Sequence, residues 1–147
     1  VNKLSFLNNQ VYPDGRENLV LDDCNNSVIE GNNCKSYYNG ILVLSGDNNR
    51  VNKNIFWLTG AVQNQMLDHG DDFGIINVKG NNNTFVSNSL SCEWAYADAV
   101  AVNATQGTGN VFKNCFIDNL ESYRVFLVNA ETEVSNCVSS DKVSIIE

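Results

Sequence analysis

The chain repeats a short pattern of apolar and asparagine residues at unequal intervals. Two leucines, two asparagines and a valine form the first copy, and equivalent residues form two later copies. The interval between the second and third copies is longer than the interval between the first and second. The three copies are Leu19, Leu21, Asn25, Asn26 and Val28; Leu42, Leu44, Asn48, Asn49 and Val51; and Ile76, Val78, Asn82, Asn83 and Phe85. An order of elements that tolerates insertions is typical of a solenoid, because each coil contacts only its neighbours.

Each copy predicts two short strands joined by a turn rich in Gly and Asn. The first strands are 19–21, 41–44, 73–78, 99–102 and 125–128, and the second strands are 28–30, 51–56, 85–90, 111–117 and 134–138. No segment repeats its apolar residues at helical spacing. We therefore expect each strand to pair in parallel with its equivalent one coil away. This predicts an all-β parallel β-helix, a solenoid of about five coils.

Composition narrows the class of protein and its partners. A chain of 147 residues predicts a single domain covering residues 1–147. It begins at Val1 without an initiator Met or a signal peptide, so we expect a segment of a longer or processed chain. The formal net charge of -8 argues against nucleic acid and strongly anionic glycans as partners. The sequence contains no apolar run long enough to span a bilayer, so no membrane partner is predicted.

The five cysteines predict neither a metal site nor a disulfide framework. They are odd in number and show no C-x-x-C spacing. Cys115 and Cys137 each follow a repeated Asn, which indicates two stacked, buried thiols. Motifs for nucleotide and metal binding are also missing from the sequence, so the prediction is that no cofactor is used.

The repeat G-x-x-N-x-φ-x-x-N-x-φ, where φ is apolar, occurs from Gly46 to Phe56 and from Gly80 to Leu90. With it, nearly the whole chain resembles the right-handed parallel β-helix superfamily of pectate lyases, polygalacturonases and phage tailspikes. In character it is similar to the trimeric tailspike-like and inulin-fructotransferase-like members. The resemblance implies an internal ladder of asparagine amides at a turn between sheets. Its members here would be Asn54, Asn88, Asn114 and Asn136, with Gly31 in the first coil.

Both faces of the first-strand sheet are apolar in the sequence. The stripe assigned to the outward face consists of Ile41, Phe73, Ile75, Ala101, Val125 and Leu127. An exposed apolar stripe of this length needs a cover, since it would otherwise cause aggregation. The resemblance implies that sister subunits supply the cover in a homotrimer. A flanking domain is the alternative.

The segments that lead from each second strand to the next first strand hold the candidate site. Asp72, Asp98 and Arg124 recur at equal intervals, which predicts a column along one sheet edge with a spacing of about 5 Å. Two carboxylates this close repel each other, which raises the pKa of one and leaves the other ionised, as glycoside cleavage requires. We predict that these three residues are catalytic and that Arg124 holds the ionised carboxylate. The predicted substrate-binding residues are His69, Asp71, Trp94, Tyr96 and Tyr123, whose aromatic rings offer flat faces for a sugar ring.

Two classes of function fit this pattern. The first is a saccharide-recognising module, able to cleave its glycan, of a trimeric tailspike-like or secreted carbohydrate-active protein; such a protein would be extracellular or virion-associated and soluble. The second is a non-catalytic shaft, in which the charged column is only a solvated salt-bridge ladder of little energetic value. The segment from Leu58 to Gly70 favours the first class, because a purely structural solenoid has little reason for a long excursion beside the acidic column.

Overall fold

A computed structural model describes residues 1–12, 19–36, 40–62, 74–95, 100–118, 124–139 and 142–146. In these ranges the regular structure consists of strands that pair in parallel within three sheets. Each sheet takes one strand from each successive coil, which is the parallel β-helix that the sequence predicts. Within the described ranges no helix is long and apolar enough to cross a membrane.

The three sheets run the length of the stack. Sheet 1 contains β3 (Leu19–Leu21), β6 (Leu42–Leu44), β9 (Ile76–Val78), β12 (Val102–Ala104), β15 (Phe126–Asn129) and β17 (Val143–Ile146). Sheet 2 contains β1 (Ser5–Leu7), β4 (Val28–Glu30), β7 (Arg50–Asn52), β10 (Thr84–Val86), β13 (Val111–Lys113) and β16 (Glu133–Ser135). Sheet 3 contains β2 (Gln10–Val11), β5 (Asn33–Ser36), β8 (Ile55–Val62), β11 (Ser89–Ala95) and β14 (Phe116–Asp118).

Most of the predicted second strands are in fact two strands that belong to different sheets. The predicted strand 51–56 ends at Asn52 in sheet 2 and resumes at Ile55 in sheet 3. The bend between them holds a residue in the left-handed region, Lys53 with φ 54°. Ser87 has the same conformation in the next coil, with φ 56°. Strand alternation cannot continue through such a residue, so the chain turns a corner there.

Side-chain amides connect the coils at this corner. Asn54 Nδ2 donates to Asn88 Oδ1 at 3.0 Å, and Asn32 Nδ2 donates to Asn54 Oδ1 at 2.9 Å. The column continues with thiols, since the Cys115 N–H donates to Cys137 Sγ at 3.3 Å. All of these residues are buried, so each hydrogen bond satisfies polar groups that water cannot reach.

The column differs in part from the ladder implied by the family resemblance. Asn54 and Asn88 lie in it, whereas Asn114 and Asn136 are exposed and lie one residue before it. Both occupy the left-handed position, with φ 53° and 51°, and Gly31 occupies that position in its own coil with φ 69°. Assigning Asn114, Asn136 and Gly31 to the column was therefore wrong, because Asn and Gly are also favoured in left-handed conformations.

A second amide column lies at the turn from sheet 1 to sheet 2. Asn49 Nδ2 donates to Asn83 Oδ1 at 2.9 Å, and Asn83 Nδ2 donates to Asn110 Oδ1 at 3.2 Å. Beside this column, a Cβ on Gly80 would collide with the backbone carbonyl of Gly46 in the coil below. The Gly and Asn of the sequence repeat therefore serve coil stacking at this turn.

The outward apolar stripe predicted for sheet 1 is wrong in most of its residues. Ile41, Ile75, Ala101 and Val125 are fully buried and belong to the core. Each lies at a bend directly before its strand, where the alternation of inward and outward residues is not maintained. Residues that do form the outward column are Val20, Val43, Asn77, Asn103 and Leu127, in register from β3 to β15. Phe73 lies outside the described residues.

The five cysteines are buried free thiols, and the predicted stacking of Cys115 and Cys137 is confirmed. Burial raises the pKa of Cys34 to about 11. Burial, followed by the nearby charge of Asp118, raises the pKa of Cys92 to about 11. The hydrogen bond that Cys115 and Cys137 share lowers the pKa of Cys137 and raises that of Cys115.

Candidate functional site

The predicted site belongs to the edge where the strands of sheet 3 end and those of sheet 1 begin. Most of its residues lie outside the described residues, namely His69, Asp71, Asp72, Tyr96, Asp98 and Tyr123. The structure does describe the strand ends on both sides of the connecting segments, as well as Arg124 and the backbone of Trp94. The described strand ends therefore show where the segments that carry the predicted site residues leave sheet 3 and enter sheet 1.

Two adjacent strands of sheet 3 are longer than their neighbours. β8 has 8 residues and β11 has 7, whereas β5 has 4 and β14 has 3. The excursion predicted to start at Leu58 therefore starts later, because β8 continues to Val62. β8 and β11 pair as far as Val62 and Ala95, with a bulge between Cys92 and Trp94. Bulges re-aim the strand that follows them and are frequent beside binding sites.

The segments after β8 and β11 begin and end at paired positions. Val62 and Ala95 pair at the end of sheet 3, and Ile76 and Val102 pair at the start of sheet 1. The first segment contains His69, Asp71 and Asp72, and the second contains Tyr96 and Asp98. The chain therefore anchors both sets of predicted residues between the same two sheet edges, in adjacent coils.

Arg124 precedes a strand of sheet 1 and is half-buried. It lies two positions before Phe126, which pairs with Val102. Arg124 is therefore level with Val100, whereas the sequence spacing placed it level with Asp98. Paired residues of β12 and β15 are fewer positions apart in the sequence than Asp98 and Arg124 are. The equal interval that the sequence suggested therefore does not hold at this step.

The start of β9 is fixed by a residue that the sequence reasoning did not single out as functional. Asn77 is buried, its Oδ1 accepts from the Gly74 N–H at 2.8 Å, and its Nδ2 donates to the Gly74 carbonyl at 2.7 Å. Both polar ends of the amide thereby hold the backbone at which the segment after β8 re-enters sheet 1. A polar residue inside an apolar strand pattern was the only sequence signal for this role.

The outer face of sheet 3 presents another feature that the sequence reasoning missed. Trp57 is 40% exposed, and Lys35 Nζ lies 4.4 Å from the centroid of its ring. The two residues are partners in register on β8 and β5. A cation over an indole ring is a favourable contact. All four residues from Ile55 to Leu58 are apolar, so the sequence carries no alternation that could have placed Trp57 outward.

Metal binding has no support in the described part of the chain. Among those residues, no group of three or more His, Cys, Asp or Glu side chains is arranged to hold a metal ion.

Among solved structures, the chain is similar to DFA-IIIase from Arthrobacter chlorophenolicus A6, which was crystallised in complex with GF2. The two proteins share 22% sequence identity, with a TM-score of 0.77. The similarity covers 99% of this chain but only 40% of that one. A likeness at this level of identity establishes the parallel β-helix fold alone. No protein-family model and no curated protein matches the sequence.

Proposed function

We propose that this β-helix recognises a saccharide at the edge between sheets 3 and 1 and cleaves it there. The observation that carries the proposal is the anchoring of two acidic segments at paired positions of adjacent coils. Parallel coils lie about 4.8 Å apart, which is a suitable scale for two carboxylates that act on one glycosidic bond. The similarity to DFA-IIIase, which binds GF2, is consistent with a saccharide ligand.

The proposed roles follow the chemistry of each residue type. Asp72 and Asp98 act as the acid and as the base or nucleophile, and Arg124 stabilises whichever carboxylate is ionised. Trp94, Tyr96 and Tyr123 provide flat surfaces for sugar rings, and His69 and Asp71 hydrogen-bond to sugar hydroxyls. If the two carboxyl groups lie about 5 Å apart the anomeric configuration is retained, and at roughly 6.5 to 9.5 Å it is inverted.

The proposal also covers assembly and location. We place a homotrimer contact on the outward face of sheet 1, at its first two coils, where Val20 is 59% exposed and Val43 is half-buried; farther along the same column, Asn77 and Leu127 are buried within the chain. A glycan-recognising trimer of this kind would act outside the cell or on a virion. The competing function is a non-catalytic shaft, and it becomes the better account if the native protein binds no saccharide.

The test is the variant Asp98→Asn, assayed against oligosaccharides that the native protein binds. The substitution removes the ionisable group and keeps its shape, so turnover is expected to fall roughly 1000-fold or more while affinity and melting temperature stay near native. Asp23→Asn, at an exposed turn between sheets 1 and 2, is the matched control and keeps native turnover. Native turnover in Asp98→Asn would contradict the catalytic assignment. Failure of the native protein to bind any saccharide at millimolar concentration would contradict the whole proposal.

A further inference from the structure

Two small side chains, those of Ser89 and Ser91, lie on the outer face of β11 between larger ones on its two neighbours. Ser89 pairs with Ile55 on one side and with Phe116 on the other. Ser91 likewise lies between Trp57 and Asp118. Both serines are half-buried, whereas all four flanking residues are exposed. The outer face of sheet 3 therefore has a groove whose floor is serine and whose walls stand on β8 and β14.

The dimensions of this serine groove follow from strand geometry. Its walls are two strand spacings apart, which is about 10 Å between backbones. Its two rows, through Ser89 and Ser91, are separated by about 7 Å along the strand. A cross-section of this width admits one sugar ring, and the length of the groove admits about two rings in succession. The groove points along β11 toward Trp94 and the proposed catalytic edge.

Trp57 provides a flat apolar surface in the wall. The ammonium of Lys35 lies over the ring, and its strand, β5, flanks β8 on the side opposite to β11. On the groove side the partner in register is Ser91, whose side chain is too short to cover an indole ring. Aromatic rings with one open face beside polar groups are well suited to the apolar face of a sugar.

The polar groups around this ring complement hydroxyls. Serine hydroxyls both donate and accept, carboxylates accept, and an ammonium donates. Ser89 and Ser91 line the floor, and Asp118 stands in the wall on β14. The exposed Glu93 lies on β11 two residues beyond Ser91, and Lys35 is the partner of Trp57 on β5. Carbohydrate hydroxyls match this mixture of donors and acceptors, whereas an anionic glycan would meet two carboxylates and a chain of net charge -8.

A second copy of the chain fits the groove less well. The exposed apolar side chains are Trp57 at 40%, and Ile55 and Phe116 at 48% each. Since a whole aromatic side chain covers about 150–250 Å², these three together expose roughly 300 Å². A stable dimer buries about 800 Å² on each partner, of which about 450 Å² is apolar. The apolar area is therefore sufficient for a small ligand and too small for a subunit contact.

We propose that the serine groove binds a neutral oligosaccharide and guides it to the edge between sheets 3 and 1. The ligand class rests on the proposed function, and the location on sheet 3 is independent of it. Short oligosaccharides would occupy the edge alone. Longer ones would continue into the groove and gain affinity by stacking on Trp57.

The test compares chain-length series of neutral oligosaccharides, such as fructo-, malto- and xylo-oligosaccharides of two to eight units, by calorimetry. In the native protein, affinity for the best series is expected to rise at least tenfold from the shortest member bound to the longest. Ser91→Arg fills the groove and abolishes this gain, while affinity for the shortest member stays native. Trp57→Leu, which removes the ring, reduces the gain. Ser135→Arg is the matched control, because Ser135 is also half-buried on an outer sheet face, and it keeps the native gain.

The outcomes separate the two proposals. If short oligosaccharides bind but length brings no gain, or Ser91→Arg keeps the gain, the groove proposal fails and the proposed function stands. If the native protein binds no member of any series, both fail. If the native protein self-associates and Ser91→Arg dissociates it, the groove is a subunit contact and the groove proposal is overturned.

Discussion

Asn54 shows how one residue joins three coils. Its Nδ2 donates to the Ile29 carbonyl at 2.9 Å and to Asn88 Oδ1 at 3.0 Å. Its Oδ1 accepts from the backbone N–H and the side-chain amide of Asn32, both at 2.9 Å. These partners lie in the neighbouring coils and are buried from water. Loss of the amide would leave several polar groups without hydrogen bonds.

We therefore expect Asn54→Ala to lower the free energy of unfolding by about 3 kcal/mol. The exposed Asn114 needs only a residue that tolerates a positive φ, so Asn114→Gly is expected to change stability by less than about 1 kcal/mol. Urea denaturation of both variants measures the difference. Equal losses would show that the amide column does not stabilise the stack.

Two of the buried thiols, Cys34 and Cys92, predict a loss of stability at alkaline pH. Burial raises the pKa of Cys34 to about 11, and burial with the charge of Asp118 raises the pKa of Cys92 to about 11. An unfolded thiol ionises near pH 8.5, so above that pH the unfolded chain loses protons that the folded chain retains. The contribution of these thiols is fully present below about pH 8.5 and is lost as pH rises toward 11.

Cys34→Ala tests this directly, because it removes one titrating thiol. Its free energy of unfolding, measured in urea from pH 7 to 11, is expected to fall less steeply than that of the native protein. Leu90→Ala is the control, since it changes the core without removing a titrating group, and it keeps the native slope. Parallel slopes for the native protein and Cys34→Ala would contradict the assignment.

At the scale of elements, aromatic stacking joins neighbouring strands of sheet 2 and connects them to sheet 1. The rings of Phe85 and Phe112 are stacked, with centroids 4.4 Å apart and an interplanar angle of 11°. Phe112 also meets Phe126 of sheet 1 edge-on at 6.1 Å. These contacts fill the core between β10, β13 and β15.

Phe112→Ala is therefore expected to cost about 3–5 kcal/mol of stability, because it opens a cavity in a packed core. Phe116→Ala, in the next strand along the chain but 48% exposed, is the matched control and is expected to change stability by less than about 0.5 kcal/mol. Thermal and urea denaturation give both values. A small loss in Phe112→Ala would mean that the core is not packed as described.

The same elements show what sequence could and could not predict. Repeats such as Asn49 and Asn83 predicted parallel stacking, since equivalent residues meet in register. The break between sheets 2 and 3 was missed because Lys53 and Ser87 carry no strong signal for a left-handed conformation. The ladder was misplaced at Asn114 because Asn favours both buried columns and left-handed turns.

The candidate site was harder to predict than the fold. Its residues lie in connecting segments of different lengths, where counting residues along the sequence does not show which positions lie side by side in adjacent coils. Arg124 illustrates this, since counting placed it level with Asp98 whereas the pairing of the strands places it level with Val100. The serine groove was missed for another reason: it depends on three strands side by side, and no single segment of sequence contains it.

At the scale of the whole molecule, the assembly remains a prediction. If the outward face of sheet 1 is the trimer contact, Val43→Asp buries a charge in it and dissociates the trimer. Val28→Asp, also a half-buried valine but on the outer face of sheet 2, leaves the assembly intact. Light scattering at tens of micromolar measures both masses. A monomeric native protein, or an intact Val43→Asp trimer, would contradict this contact.

The central claim is that the protein recognises a saccharide where sheet 3 meets sheet 1. The most direct measurement is a crystal structure of the native protein soaked with neutral oligosaccharides at millimolar concentration. The account predicts a sugar chain that stacks on Trp57, follows the serine groove along β11, and reaches the segments that contain Asp72 and Asp98. A sugar bound only on another face, such as the outer face of sheet 2, or no bound sugar at saturating concentration, would contradict it.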